Sequence, residues 1–246
     1  MSYQQGQAYD SVSRYQSAVA ANAAEAERTS FIRRTYMHLT AAVLLLVVIE
    51  FTIFSFVPAA TLEKAVGVMF RGWNWLLVMG AFMMVSMIAN KWAISARSYS
   101  KQYMGLGLYI LAQALILVPL LFIAEKFGKP GTIGSAGVIS GFVFTGLTLI
   151  VFFTRADLSW MRKALMLMSF VFLGMILCGI LFEFHFGMLF SCLGIGLAGG
   201  YILYYTSQIM LRFHTDQHVV AALCLFAAVI LLFWYILSLL MELQRR

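Results

Sequence analysis

The sequence carries few charged residues, and this shortage argues against an ordinary water-soluble fold. Of its 246 residues, 11% are charged and 62% are apolar, whereas soluble domains carry about 25% charged residues. So few charges cannot cover a surface that faces water, but a lipid bilayer accepts apolar surface directly. The composition therefore predicts an integral membrane protein whose main partner is the lipid bilayer.

Cysteine and clustered basic residues are also scarce. Cys178, Cys192 and Cys224 lie in separate apolar runs, without the spacing of a metal site, so we interpret them as small apolar core residues. The net charge is +7, yet no run of Lys and Arg forms a patch for nucleic acid. The N-terminus lacks the pattern of a cleaved signal peptide, so the first apolar span is expected to serve as an uncleaved anchor.

Several residues that membrane enzymes and receptors require are missing. Ser140-Gly141 could imitate the nucleophile of an intramembrane serine protease, but all four histidines lie near span ends rather than deep in a helix. No His-Glu-x-x-His motif occurs, and residues 219–241 contain no Lys that could form a Schiff base. We therefore expect a non-enzymatic protein with no catalytic residues, no metal site and no cofactor.

Seven apolar stretches are long enough to cross a bilayer, which requires about 20 residues in a helix. The polar residues 1–30 precede them and form a tail that is expected to be mobile or a short surface helix; residues 31–246 form one membrane domain. Glycines cluster in the fourth and sixth spans, and small residues let membrane helices approach closely, so these two spans are expected to pack centrally. The predicted spans cover 36–57, 73–90, 103–124, 133–153, 163–182, 187–211 and 219–241.

The distribution of Lys and Arg predicts the orientation. Eleven of them fall on the side of the N-terminus and six on the other side. Because positive loops stay in the cytoplasm, the N-terminus is predicted to be cytoplasmic and the C-terminus outside. A simple tail at each end favours a bacterial inner membrane.

Few polar groups lie at membrane depth, where an ionisable residue suggests function. Glu50 is either a proton or cation site or a carboxylate near the interface. Helical spacing places Tyr201, Tyr204, Tyr205 and Gln208 on one face, which either lines a cavity or holds helices together. The turn at 214–218 contains His214, Asp216 and His218, whose spacing fits a solvated loop better than a metal site.

Four ordered stretches resemble the motifs of the Bax inhibitor family, and most closely those of its bacterial YccA-like members. The resemblance covers residue 31 to the C-terminus and implies a bundle of six helices around a central seventh. The matching stretches are 31–39 with Tyr36 and His38, 113–119 beginning at Gln113, 154–159 with Thr154, Arg155, Asp157 and Ser159, and 204–208 with Tyr204, Tyr205 and Gln208.

The sequence departs from the family where the resemblance implies ionisable groups. Some members are pH-sensitive calcium leaks gated by two buried aspartates, which here correspond to Tyr205 and Ala228, and the family Glu of the third helix corresponds to Gln113. Two close carboxylates can share a proton; a tyrosine, which ordinarily titrates near pH 10, and an alanine cannot replace them. The aspartyl latch is therefore not expected to operate in this chain.

Three hypotheses follow. The first is a non-enzymatic regulator resembling the YccA-like members, which restrain a membrane-anchored AAA protease, in a family tied to stress responses and cell-death control. The second is a calcium or proton leak, or a transporter, whose sensor uses Glu50 and the tyrosine face instead of aspartates. The third is a structural membrane protein that packs with partners. The sequence leaves the oligomeric state open.

Overall fold

The computed structural model describes residues 19–71, 73–94, 99–182 and 187–245. Residues 1–18 of the predicted tail lie outside this part of the chain. The described residues form eight helices, and their only β pairing is an isolated bridge between Val19 and His214. The helices are α1 (Glu25–Phe56), α2 (Ala59–Met69), α3 (Asn74–Ala93), α4 (Tyr99–Phe127), α5 (Thr132–Thr154), α6 (Met161–Phe182), α7 (Gly187–Leu211) and α8 (His218–Gln244).

Seven of these helices are long and apolar enough to span a membrane, which confirms the predicted all-α bundle of seven spans. We call the end of the bundle where α1 begins the near end, and the end where α1 finishes the far end. The loop 155–160 and the turn 212–217 lie at the near end. Helix α2, the turn 128–131 and the C-terminus lie at the far end.

Helix α2 was not predicted, and proline explains where it begins. Pro58 follows Val57, whose backbone is extended (φ −91°, ψ 122°), as expected for a residue that precedes proline. Helix α1 therefore ends there, and α2 starts immediately after Pro58. With 11 residues it is too short to cross a bilayer; it packs through Leu62 and Val66, which lie one helical turn apart.

The last span is central, as the family resemblance implied. We call the 18-residue apolar stretch that qualifies a helix as a span its apolar window. In the apolar window of α8, 67% of the residues are buried. Helix α8 contacts α1, α3, α4, α5 and α7, and it reaches α6 through an edge contact between Tyr235 and Phe172 (5.7 Å between ring centroids). Its core includes the fully enclosed side chains of Leu225, Phe226 and Leu232.

The prediction that the fourth and sixth spans pack centrally was wrong for the fourth span and right in part for the sixth, which is not itself central but makes the most extensive contact with the central helix α8. Only 22% of the apolar window of α5 and 28% of that of α7 are buried, against 61% for α4. A Cβ atom added at Gly134, Gly137, Gly141 or Gly146 of α5 would meet nothing within 4 Å. Glycine content alone therefore did not identify the packed helices, because these α5 glycines lie where no neighbour approaches.

Close approach over glycine occurs in α4 and in the sixth span, α7. A Cβ atom on Gly105 of α4 would lie 2.5 Å from the carbonyl oxygen of Ala89 in α3, and Ala89 and Ala93 are buried beside it. In α7, a Cβ atom on Gly194 would overlap the ring of Tyr235 of α8 at 2.4 Å. These two positions fix how α4 and α7 pack against their neighbours.

Candidate functional site

The motif at 154–159 forms the near-end loop between α5 and α6. Helix α5 ends because Arg155 adopts a left-handed backbone (φ 49°), while its N–H still bonds to the carbonyl of Val151 at 2.8 Å. A left-handed residue after the last helical turn reverses the chain direction. The loop is thereby directed onto the near end of α7.

The loop and the motif at 204–208 are bonded to each other. Ser207 donates its hydroxyl to the carbonyl of Ala156 at 2.7 Å and accepts the N–H of Leu158 at 3.1 Å. Gln208 donates from Nε2 to Oγ of Ser159 at 3.1 Å. Two stretches about fifty residues apart in sequence therefore form one contact, in which the buried hydroxyl of Ser207 satisfies two backbone groups.

Asp157 holds this loop together from the solvent side. Its carboxylate accepts the N–H of Ser159 at 3.0 Å, the hydroxyl of Ser159, and Nη2 of Arg212 at 3.0 Å. The bonds from Ser159, followed by that from Arg212, lower the pKa of Asp157 to about 2. The carboxylate is therefore charged at neutral pH and well supplied with donors, which suits a structural role.

The two motif residues on α1 reach different neighbours. His38 bonds through Nε2 to the hydroxyl of Tyr103 at 2.9 Å, and its ring lies 5.0 Å from that of His218. Tyr36 points into the bundle, with its ring 5.9 Å from that of Phe152, and its buried hydroxyl has no hydrogen-bond partner among the described residues. Both residues therefore join α1 to the near halves of other spans.

The positions at which the resemblance implies acidic groups lie together in the interior. Tyr205 packs against the buried core that includes Ala228 of α8, and Ala228 is 3% exposed. Gln113 of α4 is also buried. The alignment of these positions is thus compatible with the fold, but the groups present are a phenol, a methyl and an amide.

The tyrosine face of α7 floors a groove between α3 and α6. The groove has a volume of about 560 Å³, and its walls include Met83 of α3 and Met166 of α6. Tyr205 stacks on Tyr201 at 5.7 Å and meets Tyr204 edge-on at 5.3 Å. Gln208 leaves this face, because its amide is directed to Ser159. The predicted polar face is therefore divided between a groove and the loop contact.

A second and larger cavity, of about 1010 Å³, lies toward the far end between α1, α2, α4, α5 and α8. Glu50 projects into it from a position six residues before the end of α1, or about 9 Å along the helix axis. Its side chain is 7% exposed. Among the described residues, neither of its carboxylate oxygens has a hydrogen-bond partner.

Three further ionisable residues line this far-end cavity, all of them exposed at its mouth. Lys126 pairs with Glu63 of α2 at 2.6 Å, and Glu125 lies next to it in sequence. Ser140 also lines the cavity and donates to the carbonyl of Ala136 of its own helix at 2.6 Å. No histidine of the described part of the chain lines the cavity. Within the described residues, no three His, Cys, Asp or Glu side chains could share a metal ion.

Sequence reasoning did not identify Ser207, Arg212, Glu63 or Lys126 as partners in these contacts. Ser207 belongs to the motif at 204–208, but no separate role was predicted for it. Arg212 entered only the charge count that predicts orientation. A signal for the pairing of Asp157 with Arg212 was present, since both lie just beyond the near ends of spans that the topology places on one side.

Comparison with known proteins agrees with the motifs. The model of the family described as "Inhibitor of apoptosis-promoting Bax1" matches residues 28–246. This match includes all seven spans and every motif position discussed above. A search of curated proteins found no match.

Proposed function

The chain belongs to the Bax inhibitor family, and from this premise we propose that it is a non-enzymatic membrane regulator that acts by contact. The role that the resemblance implies is that of the YccA-like members, which restrain a membrane-anchored AAA protease within a stress response. The proposal places it in a bacterial inner membrane, with the N-terminus in the cytoplasm. A reporter active only in the cytoplasm and fused to Arg246 should be inactive.

One observation supports contact over conduction. The buried positions that the resemblance assigns to a carboxylate pair hold Tyr205 and Ala228, and α8 has no ionisable side chain between His218 and Glu242 apart from Cys224 and Tyr235. Conduction of a cation through a bundle needs polar groups at membrane depth. The central helix instead offers a nearly continuous apolar surface to the helices that pack around it.

The groove floored by tyrosines is the contact surface that this proposal uses. Tyr204 and Tyr205 combine apolar ring area with hydroxyl groups, which suits recognition of another helix inside a bilayer. The groove opens between α3 and α6, the two spans with the smallest buried share, 11% each. A transmembrane helix of the partner could lie there without displacing any helix of the bundle.

Two neighbouring residues of α6 provide a matched test. Met166 lines the groove and is 59% exposed, whereas Leu167 is 66% exposed and does not line it. Met166→Trp should fill the groove and abolish co-purification with the membrane-anchored AAA protease, and it should restore turnover of that protease's substrates. Leu167→Trp should behave as the parent does. Equal co-purification of both variants, or no change in substrate turnover when the parent chain is deleted, would contradict the proposal.

The alternative is a calcium or proton leak with a non-aspartyl sensor, and Glu50 favours it. Glu50 is the one buried carboxylate in the described spans, and neither of its oxygens has a hydrogen-bond partner there. Liposomes containing the full chain should then pass calcium or protons at some pH between 5 and 8, and Glu50→Gln should abolish the flux. Absence of flux throughout that range would exclude the alternative.

A further inference from the structure

The far-end cavity combines apolar walls with one isolated carboxylate. We propose that it is a binding site for a lipophilic organic monocation of drug size, with the cationic centre at Glu50 and the apolar body between α1, α4, α5 and α8. Neither the regulatory nor the leak function requires such a ligand. The proposal rests on the charge, the size and the openings of the cavity.

Charge is the first argument. The carboxylate of Glu50 is 7% exposed and has no hydrogen-bond partner among the described residues. Burial of a carboxylate is costly unless a cation or donors accompany it. Among the described residues, Lys126 is the only lysine that lines the cavity, and it is already paired with Glu63 at the mouth, where Glu125 adds another negative charge. A proton can neutralise Glu50, and a ligand that carries one positive charge can take the place of that proton and supply the group that the cavity lacks.

The size and composition of the walls indicate an organic ligand. The cavity volume of about 1010 Å³ matches the upper part of the range for sites of drug-sized molecules, about 300–1,000 Å³. Phe54, Phe122 and Phe233 line it together with aliphatic residues. Aromatic faces attract organic cations, so the walls favour a cation that is itself largely apolar.

A metal ion fits the cavity less well. Calcium takes about 6–8 oxygen ligands, and Ser140 is the one other described residue with a side-chain oxygen that lines the cavity away from the mouth. The hydroxyl of Ser140 is already bonded to Ala136. An organic cation needs no such coordination shell, because a single carboxylate and aromatic contacts are sufficient.

The cavity has two openings that such a ligand can use. Glu63, Glu125 and Lys126 are exposed where it meets the far-end surface, with a net negative charge. On the lipid side, Val47 and Phe51 line it and are 57% and 72% exposed. A lipophilic cation concentrates in the bilayer and can enter from that side, whereas a strongly hydrated cation cannot.

Tetraphenylphosphonium and tetraphenylborate provide a test, since the two ions share size and shape but differ in the sign of their charge. Binding is measured with the full chain in phosphatidylcholine nanodiscs, after subtraction of uptake by empty nanodiscs. We expect saturable binding of tetraphenylphosphonium at one site per chain and none of tetraphenylborate. Glu50→Gln should weaken it by about tenfold or more, since it removes the ion pair. Glu125→Gln should weaken it by less than about threefold, because the mouth is screened by water.

Two glycines of α5 supply steric variants. A Cβ atom at Gly137 or at Gly134 would meet no neighbour, but only Gly137 lines the cavity. Gly137→Leu should therefore abolish binding of tetraphenylphosphonium while Glu50 remains, and Gly134→Leu should leave it unchanged. Both variants are expected to fold, which their unfolding midpoints will show.

Three results would overturn the proposal. Tetraphenylborate could bind as tightly as tetraphenylphosphonium, or Glu50→Gln could leave the affinity unchanged. Native mass spectrometry could also show a phospholipid that is retained by the parent, lost in Gly137→Leu and not displaced by tetraphenylphosphonium, so that the cavity belongs to a resident lipid. Binding is measured without ion flux or a partner protein, so its failure leaves contact-based regulation standing.

Discussion

The near-end loop contact and the far-end cavity treat their polar groups in opposite ways. At the near end, the motif residues Asp157, Ser159, Ser207 and Gln208 are bonded to one another or to backbone groups across α5, α7 and the loop between them. At the far end, Glu50 projects into a large cavity and bonds to none of the described residues. Both ends belong to the same bundle, whose helices pack around the same central helix.

This difference separates residues that hold the fold from a residue that is free to bind. Paired polar groups near a membrane surface join segments that are distant in sequence, and loss of one partner leaves another buried group unsatisfied. An unpaired carboxylate contributes nothing to the fold and costs free energy when it is buried. Loss of a near-end group should therefore destabilise the protein, whereas loss of Glu50 should not.

The largest effect is expected when the central helix receives an unpaired carboxylate of its own. Ala228 is 3% exposed, so Ala228→Asp buries a carboxylate that has no partner among the described residues. This variant should lower the free energy of unfolding by about 3–5 kcal/mol at neutral pH. Reversible unfolding in mixed micelles titrated with SDS measures this loss. Leu243→Asp, at a residue of α8 that is 50% exposed, serves as the control and should change little.

The double variant Tyr205→Asp with Ala228→Asp tests whether the two positions face each other. Two close carboxylates favour sharing a proton, so the gain in stability from pH 8 to pH 5, measured against the parent, should be larger for the double variant than the sum of the gains for Tyr205→Asp and Ala228→Asp alone. If the two gains simply add, positions 205 and 228 do not form the pair that the resemblance implies.

At the near end, Ser207→Ala is expected to cause the second largest loss of stability among the single variants. It removes the donor to Ala156 and the acceptor for Leu158, and should lower the free energy of unfolding by about 1–3 kcal/mol. Ser238→Ala is the matched control, since Ser238 bonds only to the carbonyl of Trp234 in its own helix. Similar losses in both variants would show that the loop contact adds no stability of its own.

The sequence predicted the parts of this fold that depend on local pattern. Runs of apolar residues specify span number, because every backbone group at membrane depth must be bonded within a helix. The central position of α8 was implied by the family resemblance and is reflected in its lack of charge. Helix α2 could not be found by the same criterion, since its 11 residues are too few for a span and it follows a proline.

Contacts between distant segments were beyond sequence reasoning. The glycines of α5 and those of α7 look alike in sequence, yet Gly194 meets Tyr235 and Gly137 meets nothing. The direction in which a glycine faces depends on the rotation of its helix, which composition does not specify. Likewise, Glu50 was identified as a candidate, but the cavity around it needs five helices to be placed first.

Glu50→Leu is expected to have the opposite sign to the near-end variants. Removal of a buried carboxylate without a partner, with an apolar side chain in its place, should leave the free energy of unfolding unchanged or raise it by about 1 kcal/mol. The experiment uses chain free of added cations, so that no ligand stabilises the parent. A clear loss of stability would reveal a partner for Glu50 and remove the contrast between the two ends.

The smallest effect is expected for the exposed ion pair at the near end, whose side chains are 52% (Asp157) and 57% (Arg212) exposed. Because the pKa of Asp157 falls to about 2 in the folded protein, against about 3.9 when unfolded, its contribution is complete above the unfolded value. It is lost as the pH falls through about 2. The difference in unfolding midpoint between the parent and Asp157→Asn should therefore be present at pH 7 and decline below pH 4.

The bonds from Ser159 lower the pKa of Asp157 more than the bond from Arg212 does. Ser159→Ala should therefore shift the midpoint more than Arg212→Met, and only the effect of Arg212→Met should fade in 1 M salt, where charges are screened beyond about 3 Å. If Arg212→Met has the larger effect, the loop is held by its ion pair rather than by its hydrogen bonds. The stability of the near-end loop would then depend on ionic strength, whereas a loop held mainly by hydrogen bonds should not.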